Sequence, residues 1–406
     1  MHVCVIGAGV VGLATAYALQ QAGHRVTVVD RAERPAMGAS GGNGAQLSYA
    51  YVQPLADPGI WRQLPKLLLE PDSPLKFRLQ ADPRQWSWGL QFLGACNART
   101  SADSTRSLLT LAAESRLAFE AMLAREALDC DHHQPGKLVL YPTQQALDGA
   151  AQQVALQATL AGPLQQVVDA AEVARLEPAL ASYAPRMAGA IYTPSESAAD
   201  CRKLCEQLAL LLAQRGADLQ FGTQVHRHAV QGGRITALDT SNGRITADQF
   251  VLASGWESAV QARQLGVHVP VYPLKGYSIT IDAAAAPHTG PTVSVTDTTR
   301  KVVFARIGDR VRVAGMVEIV GRDTHLAPAR IDSLIRSTRE VFPSLPITGD
   351  VHPWTGMRPA TPTGLPVTGR ARGGPANLWL QTGHGALGLT LAFGSAQRLV
   401  QQLARA

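Results

Sequence analysis

The sequence predicts an α/β fold in which a parallel sheet is built from both ends of the chain and an antiparallel section lies between them. Near the N-terminus the apolar run 3–6 (VCVI) leads into a glycine-rich turn and a stretch of helical spacing. The chain closes with a second unit of this kind, a strand followed by a glycine-rich turn at 383–388 and a helix at 389–403. Between them, Gly232-Gly233 and Asn242-Gly243 mark tight hairpins. This order is typical of a discontinuous dinucleotide-binding domain with a second domain inserted in pieces.

The turn at 7–12, with the sequence GAGVVG, has the glycine spacing of a loop that binds a diphosphate. Gly7 permits the sharp turn, Gly9 lets the backbone approach the phosphates, and Gly12 lets the following helix lie close to the sheet. The N-terminus of that helix offers free N–H groups and the positive end of its dipole. The next strand ends at Asp30, whose carboxylate can accept hydrogen bonds from a ribose. This context predicts a bound dinucleotide, and the alternative is a packing turn without a ligand.

Size and composition limit the function classes. The 406 residues suffice for two domains and a large core, and no apolar stretch approaches the ~20 residues of a membrane-crossing helix. The N-terminus lacks the features of a secretory signal, and five scattered cysteines favour a reducing compartment. The net charge of +6 is not concentrated in a run of lysine and arginine residues, which argues against a nucleic-acid-binding surface. It fits either an arginine-rich soluble surface or attraction to anionic substrates or an anionic membrane face.

Helical periodicity predicts three further amphipathic helices, at 103–126, 201–212 and 331–342. The section 225–253 predicts a meander of three strands. Cys201 and Cys205 would share one helical face, but no nearby His or Cys completes a ligand set, so we predict no metal site.

Several motifs spread over nearly the whole chain are similar to those of one group of flavoenzymes. They are VIGAGVVG at 5–12, Ser40 with Asn43 and Gln46, VYPLKGYS at 271–278, GMVEIVG at 315–321, WTGMRP at 354–359 with Thr361-Pro362, LWL at 378–380, TGHG at 382–385 and Gly388. The chain thereby resembles the FAD-dependent amino-acid dehydrogenases and oxidases of the D-amino-acid oxidase superfamily. Among these it is most similar to the bacterial D-amino acid dehydrogenases of the small-subunit type. The motifs are specific for the family and much less specific for the substrate.

The resemblance implies that the dinucleotide is FAD, and we expect it to be bound non-covalently because no cysteine lies in the flavin-facing motifs. It implies a Rossmann-like FAD-binding domain of the glutathione-reductase type, which we assign to residues 1–80, 145–260 and 340–406. The substrate domain, an α+β unit with an antiparallel sheet, is assigned to residues 81–144 and 261–339.

The implied reaction is the oxidative deamination of a D-amino acid. Hydride passes from Cα to flavin N5, and the imino acid is hydrolysed to a 2-oxo acid and ammonia. The resemblance implies a D-alanine-like or D-proline-like substrate (including hydroxy-D-proline) and a quinone or another non-oxygen electron acceptor. It also implies a cytoplasmic protein and leaves open a peripheral contact with the cytoplasmic face of the inner membrane. The alternatives are an O2-dependent oxidase of glycine, sarcosine or D-amino acids, an NAD-dependent dehydrogenase, and a non-catalytic flavin-binding subunit.

Three residues are candidates for the chemistry. In the family the arginine of the Gly-x-Arg-Pro stretch clamps the substrate carboxylate, which implies that role for Arg358, since a planar guanidinium meets a carboxylate through two parallel bonds. The alternative for Arg358 is a surface position. Tyr277 is a candidate for the same carboxylate or for a core position, and His384 is a candidate for stabilising negative charge on the flavin.

The candidates for binding the cofactor lie in both terminal units and at the start and end of the meander, where Val225 offers backbone bonds to adenine. They are Gly7, Gly9, Val10, Val11, Gly12, Asp30, Arg31, Ser40, Asn43, Gln46, Leu47, Val225, Gly255, Trp256, Gly383, Gly385, Gly388, Leu389 and Thr390.

Overall fold

The structure is a computed structural model that describes residues 1–61, 75–158, 162–286, 288–347 and 351–406. Among these residues the helices are α1 (Val10–Gln21), α2 (Pro83–Ala95), α3 (Ala98–Glu126), α4 (Gln144–Ala158), α5 (Ala170–Leu176), α6 (Cys201–Gln214), α7 (Ser258–Gln264), α8 (Pro328–Val341) and α9 (Gly388–Leu403). The strands are β1 (His2–Ile6), β2 (Arg25–Val29), β3 (Gln46–Leu47), β4 (Leu75–Phe77), β5 (Lys137–Tyr141), β6 (Gln166–Asp169), β7 (Gly189–Thr193), β8 (Ser197–Ala198), β9 (Asp218–Gln220), β10 (Val225–Gln231), β11 (Arg234–Thr240), β12 (Gly243–Ile245), β13 (Gln249–Leu252), β14 (Tyr272–Asp282), β15 (Ser294–Asp297), β16 (Val302–Ile307), β17 (Arg310–Ile319), β18 (His352–Ala360), β19 (Val367–Arg370) and β20 (Leu378–Thr382).

The smaller of the two main sheets combines the N- and C-terminal parts of the chain. Its order is β19-β20-β13-β1-β2-β9, and all neighbours are parallel except β19 and β20. The central strand β1 is apolar and buried along most of its length, as expected for a parallel strand that helices cover on both faces. The predicted α/β fold with a parallel sheet from both ends of the chain is confirmed.

The larger sheet is mostly antiparallel and runs β18-β14-β17-β16-β15-β5-β7-β6, with β4 added beside β17. Its long strands β14 and β17 lie next to each other, and β18 covers the other side of β14. Ala360, at the end of β18, forms a bridge with His384, which follows β20, so the edge of this sheet meets the carboxyl end of β20. The predicted meander forms only in part. Its first two hairpins give a separate three-stranded sheet, β10-β11-β12, whereas its predicted last strand falls on β13, which pairs with β1 and β20 in the parallel sheet.

The longest described helix, α3, packs on the parallel-sheet side of the molecule. Leu108, Leu111 and Phe119 belong to the same buried cluster as Leu13 of α1, and the Phe119 ring lies 5.1 Å from that of Phe393 in α9. None of the described helices combines the length and apolarity needed to cross a bilayer.

Sheet membership differs from the assigned domain boundaries in four places. Strand β4 lies within 1–80, strands β6 and β7 lie within 145–260, and β18 lies within 340–406, yet all four pair in the larger sheet. Helix α3 lies within 81–144 but packs in the core of the smaller sheet. Local periodicity identifies a helix or strand but carries no information about the distant element that it packs against. The assignment of these elements to a domain therefore depends on strand pairing and packing between residues far apart in the sequence. Residues 62–74, 159–161, 287 and 348–350 also fall in the assigned segments and lie outside the described residues.

Candidate active site

A cavity of about 1540 Å³ lies at the carboxyl ends of the parallel strands and is also lined by residues of the larger sheet. This volume exceeds the ~300–1,000 Å³ of typical small-ligand pockets, and the position is the usual ligand site of an open parallel sheet. Most of the residues singled out in the sequence line it, namely Gly7, Gly9, Val10, Val11, Asp30, Arg31, Ser40, Asn43, Gln46, Val225, Gly255, Trp256, Arg358, Gly383, His384, Gly385, Gly388, Leu389 and Thr390. Gly12, Leu47 and Tyr277 are not among its lining residues.

The first glycine-rich turn is closely fitted to the sheet. Gly7 has φ +118°, and a Cβ there would lie 2.5 Å from the Ala253 carbonyl oxygen. A Cβ on Gly12 would overlap the carbonyl oxygen of Gly7, so Gly12 lets α1 approach the turn instead of contacting a ligand. Gly9 faces the cavity, and Ser40 Oγ accepts a hydrogen bond from the Val10 N–H at 3.0 Å.

The carboxylate of Asp30 lines the cavity and is held by backbone groups. It accepts hydrogen bonds from the N–H groups of Ala8 at 2.7 Å and Ala32 at 2.8 Å. Each carboxylate oxygen keeps a further lone pair, which suits a ribose hydroxyl. Beside it, Arg31 and Glu257 form an ion pair at 2.6 Å on the cavity wall.

The segment that follows the first unit is tied to the larger sheet through Gln46. Its side-chain amide donates to the carbonyls of Val295 and Phe304, both at 3.0 Å, while β3 pairs with β8. Leu47, in the same short strand, is fully buried in the core, because adjacent residues of a strand point to opposite faces.

The C-terminal turn presents the N-terminus of α9 to the cavity. Gly383 has φ +83°, and Gly388, Leu389 and Thr390 begin the helix at the cavity wall. Helix N-termini carry free N–H groups and partial positive charge, which suits the anionic parts of a dinucleotide.

His384 lies in that turn as a buried neutral imidazole. Its Nε2 is 2.9 Å from Ser395 Oγ, and its Nδ1 has no hydrogen-bond partner among the described residues. Burial lowers the pKa of His384 to about 3, so the ring is uncharged at physiological pH. An unpaired buried ring nitrogen beside a cavity is suited to a hydrogen bond with a ligand.

Arg358 extends from β18 across the neighbouring strand β14. Its guanidinium lies against Gly276, where a Cβ would overlap Arg358 Cζ. Arg358 Nη1 donates to the Met316 carbonyl at 2.8 Å, and no carboxylate forms an ion pair with it in the described part of the chain. Burial lowers the pKa of Arg358 to about 10, which still leaves it charged at neutral pH. The site therefore holds a desolvated cation with N–H groups available to an anion.

A β-bulge in β17 places the carbonyl that Arg358 contacts. The pairing of β14 with β17 shifts register there, so that Met316 and Val317 stand opposite Gly276. Met316 has φ +62°, which is uncommon for a non-glycine residue and costs about 1–3 kcal/mol. Such strain at a cavity wall indicates a position under functional constraint.

Tyr277 lies away from the cavity, contrary to its candidacy for substrate binding. Its side chain is fully buried on the other face of β14, and its hydroxyl donates to Glu318 Oε2 at 2.7 Å. Arg330 Nε donates to the other oxygen of that carboxylate at 2.8 Å. The parity of the strand explains the difference, because Leu274 faces the cavity and Tyr277, three residues later, faces away.

Trp354 and Lys137 are two of the lining residues that sequence reasoning missed. Trp354 fills the space left by Gly42 and Gly356, at each of which a Cβ would overlap the indole. Its signal was its place in the WTGMRP motif, on the same strand face as Arg358. Lys137 lines the cavity with its Nζ 2.6 Å from Ser48 Oγ, and a lysine at the start of an apolar strand gave no signal of this.

In the described part of the chain, no three His, Cys, Asp or Glu side chains converge as a metal would require. The five cysteines are free and buried.

Comparisons with known proteins place this geometry in a family. Residues 2–402 match the family described as FAD dependent oxidoreductase. The chain belongs to this family. The glycine cradle, the Asp30 carboxylate, the orphaned His384 nitrogen and the α9 N-terminus fit FAD, the cofactor of the family.

Two relatives cover almost the whole chain. A protein of Ralstonia nicotianae named D-amino acid dehydrogenase 2 is 45% identical, over 100% of this chain and 97% of its own length. A protein of the same name from Pseudomonas aeruginosa is 45% identical, over 100% of this chain and 95% of its own. Among solved structures, glycine oxidase from Geobacillus kaustophilus matches with a TM-score of 0.76 at 22% identity, over 99% of this chain and 94% of its own. That likeness shows the fold alone.

Proposed function

We propose that this protein is an FAD-dependent D-amino acid dehydrogenase that oxidises its substrate at Cα and passes the electrons to an acceptor other than oxygen. The family match and the two 45% identical relatives named D-amino acid dehydrogenase 2 support it. The observation that carries it is the Arg358 guanidinium at the cavity wall, which forms no ion pair with a carboxylate of the described residues.

Arg358 binds the substrate carboxylate. Its contact with the Met316 carbonyl uses Nη1 and leaves other N–H groups for an incoming carboxylate. A planar fork meets a carboxylate with two charge-assisted bonds and so orients Cα as well as holding it. Orientation matters because a misplacement of about 1 Å can cost about a hundredfold in rate.

The surroundings of Arg358 support a small apolar substrate side chain. Leu274 is its register partner on β14, and Met316 supplies the carbonyl beside it. Both line the cavity, and both are apolar. D-alanine-like and D-proline-like substrates, including hydroxy-D-proline, are therefore the first to test.

FAD, held non-covalently, would supply the acceptor for the hydride that leaves Cα, and water would hydrolyse the released imino acid to a 2-oxo acid and ammonia. The protein contributes binding and electrostatics. The N-terminus of α9 favours negative charge at the cavity wall. The neutral ring of His384 can form a hydrogen bond to the bound ligand through Nδ1.

The electron acceptor is proposed from the relatives. Both are named dehydrogenases, which favours a quinone or another non-oxygen acceptor over O2, and peripheral contact with the cytoplasmic face of the inner membrane would bring the protein to a quinone. The glycine oxidase shares only the fold and lends the oxidase alternative no specific support.

A screen of D- and L-amino acids with the purified yellow protein tests the proposal. We expect dye reduction with D-alanine or D-proline, little with the L-enantiomers, and little peroxide in air. A colourless protein that FAD does not reconstitute would contradict it, and stoichiometric peroxide would establish the oxidase alternative.

A further inference from the structure

Lys137 is a buried cation that the function described above does not use. Its side chain is 3% exposed, yet it lines the cavity. In the described residues no carboxylate forms an ion pair with it. Glu196 is the acidic group that acts on it electrostatically, and the oxygens of Glu196 accept the N–H groups of Tyr49 at 2.6 Å and Ala50 at 2.7 Å. Burying a charge is costly, so a buried lysine needs compensating contacts or a ligand.

The contacts of Lys137 locate it relative to the final helix. Its Nζ donates to Ser48 Oγ at 2.6 Å and lies 4.6 Å from the centre of the Tyr51 ring. The Ser48 N–H in turn donates to Thr390 Oγ1 at 3.4 Å, and Thr390 lies in the first turn of α9. The ammonium and the positive end of the helix thus act on the same part of the cavity.

The chemistry of the ammonium leaves capacity for a ligand. A lysine has three N–H donors, of which one binds Ser48 and another faces the ring of Tyr51. Because Ser48 Oγ accepts from Lys137, its own hydroxyl proton is available to a partner in the cavity. Burial lowers the pKa of Lys137 to about 8, so the amine is still protonated at pH 7.

We propose that Lys137 is a second positive group beside the N-terminus of α9, and that it stabilises the negative charge which the bound flavin acquires on reduction. This rests on the proposed binding of FAD but not on the identity of the substrate. Lys137 acts directly and through the Ser48 hydroxyl, and it adds a full charge to the partial charge of the helix. Its effect therefore appears in properties of the flavin that can be measured without a D-amino acid.

Sulfite is a suitable probe, because its electron pair forms a bond to flavin N5 and the ring takes up the negative charge. Lys137→Met removes the cation while keeping an unbranched side chain. We expect Lys137→Met holoenzyme to bind sulfite at least tenfold more weakly and to have a more negative flavin reduction potential. Lys137→Arg, which keeps the charge, should stay within about threefold of the parent protein.

Lys275 provides a matched control. It is also buried and also lies over a tyrosine ring, Tyr277 at 5.3 Å, but it is not among the lining residues of the cavity. Its Nζ donates to the His325 carbonyl at 2.5 Å. Lys275→Met should leave the sulfite affinity and the reduction potential unchanged, so a loss in this variant equal to that in Lys137→Met would overturn the inference.

Unchanged sulfite affinity and potential in Lys137→Met would also overturn it. If Lys137→Met does not retain FAD, Lys137→Gln, which keeps a donor for Ser48 without the charge, takes its place with the same expectation. Loss of FAD from both variants would show that the lysine serves cofactor retention and would equally contradict the proposal. A yellow parent protein that binds sulfite but oxidises no D-amino acid would contradict the proposed substrate alone.

Discussion

The guanidinium of Arg358 lies directly over Gly276 of the neighbouring strand, in the space that a β-carbon would fill. The two residues belong to separate motifs of the sequence, and the register of β14 with β18 brings them together. The absence of a side chain at position 276 thus leaves the space that the Arg358 guanidinium occupies.

Gly276→Ala should displace Arg358 without removing it. We expect kcat/KM for the D-amino acid to fall by about 10- to 100-fold, mainly through KM, because the clamp can no longer reach its position. Steady-state kinetics with a dye acceptor measure this. Gly89→Ala is the control, since a Cβ there meets open space in helix α2 and should leave the kinetics unchanged. Wild-type KM in Gly276→Ala would show that the observed placement of Arg358 is unimportant.

Replacing the guanidinium itself should separate charge from geometry. Arg358→Met should lower kcat/KM by about a thousandfold or more, since it removes both bonds to the substrate carboxylate. Arg358→Lys should recover only part of the activity, because an ammonium lacks the planar fork. FAD absorbance should persist in both variants. Equal activity of Arg358→Lys and the parent protein would argue against two-point binding.

Tyr277→Phe should lower the stability of the folded protein and leave its catalytic activity unchanged. The variant leaves Glu318 Oε2 without its buried donor, so we expect a loss of about 1–3 kcal/mol of unfolding free energy. KM should remain that of the parent protein, because Tyr277 does not line the cavity. Urea unfolding and kinetics together measure both quantities. A raised KM with unchanged stability would restore Tyr277 as a ligand of the substrate.

Acid sensitivity should come partly from His228. Its ring is buried with no hydrogen-bond partner for either nitrogen in the described residues, and burial lowers its pKa from 6.5 to about 4. Between these values the unfolded state binds the proton and the folded state does not. Stability from this group is therefore complete above pH 6.5 and declines as the pH falls, by about 1.4 kcal/mol per unit.

His228→Leu tests this directly. Denaturant unfolding at several pH values should show that the unfolding free energy falls less steeply below pH 6.5 than in the parent protein. The difference in slope should be the ~1.4 kcal/mol per pH unit that one bound proton contributes. Above pH 7 the two proteins should show parallel dependence. Identical slopes throughout would mean that His228 gains a proton as easily in the folded state as in the unfolded one.

Elements with a local physical signature were predictable from the sequence. The spacing of glycines predicts the turn at 7–12 and the final helix, because phosphate binding and close packing require glycine at fixed positions. Arg358, singled out through its motif, lines the cavity, and its role stays a prediction. The position of Tyr277 was not predictable, since β14 carries apolar residues on both faces and its sequence does not say which face meets the cavity.

Lys137 shows a different limit of sequence reasoning. Its strand β5 lies far along the chain from Ser48, and only the assembled larger sheet brings the two side chains together. The same applies to β6, β7 and β18, whose sheet depends on partners that no local pattern specifies.

The double hydrogen bond from Gln46 has a consequence for how the substrate reaches the cavity. The bonds to the carbonyls of Val295 and Phe304 attach this stretch of chain, which lines the cavity, to strands β15 and β16 of the larger sheet. A hinge rotation that moved the smaller sheet away from the larger sheet would have to break both of these hydrogen bonds. We therefore expect ligands to enter and leave through rearrangement of the loops at the cavity opening. The two main sheets should keep a fixed orientation relative to each other throughout turnover.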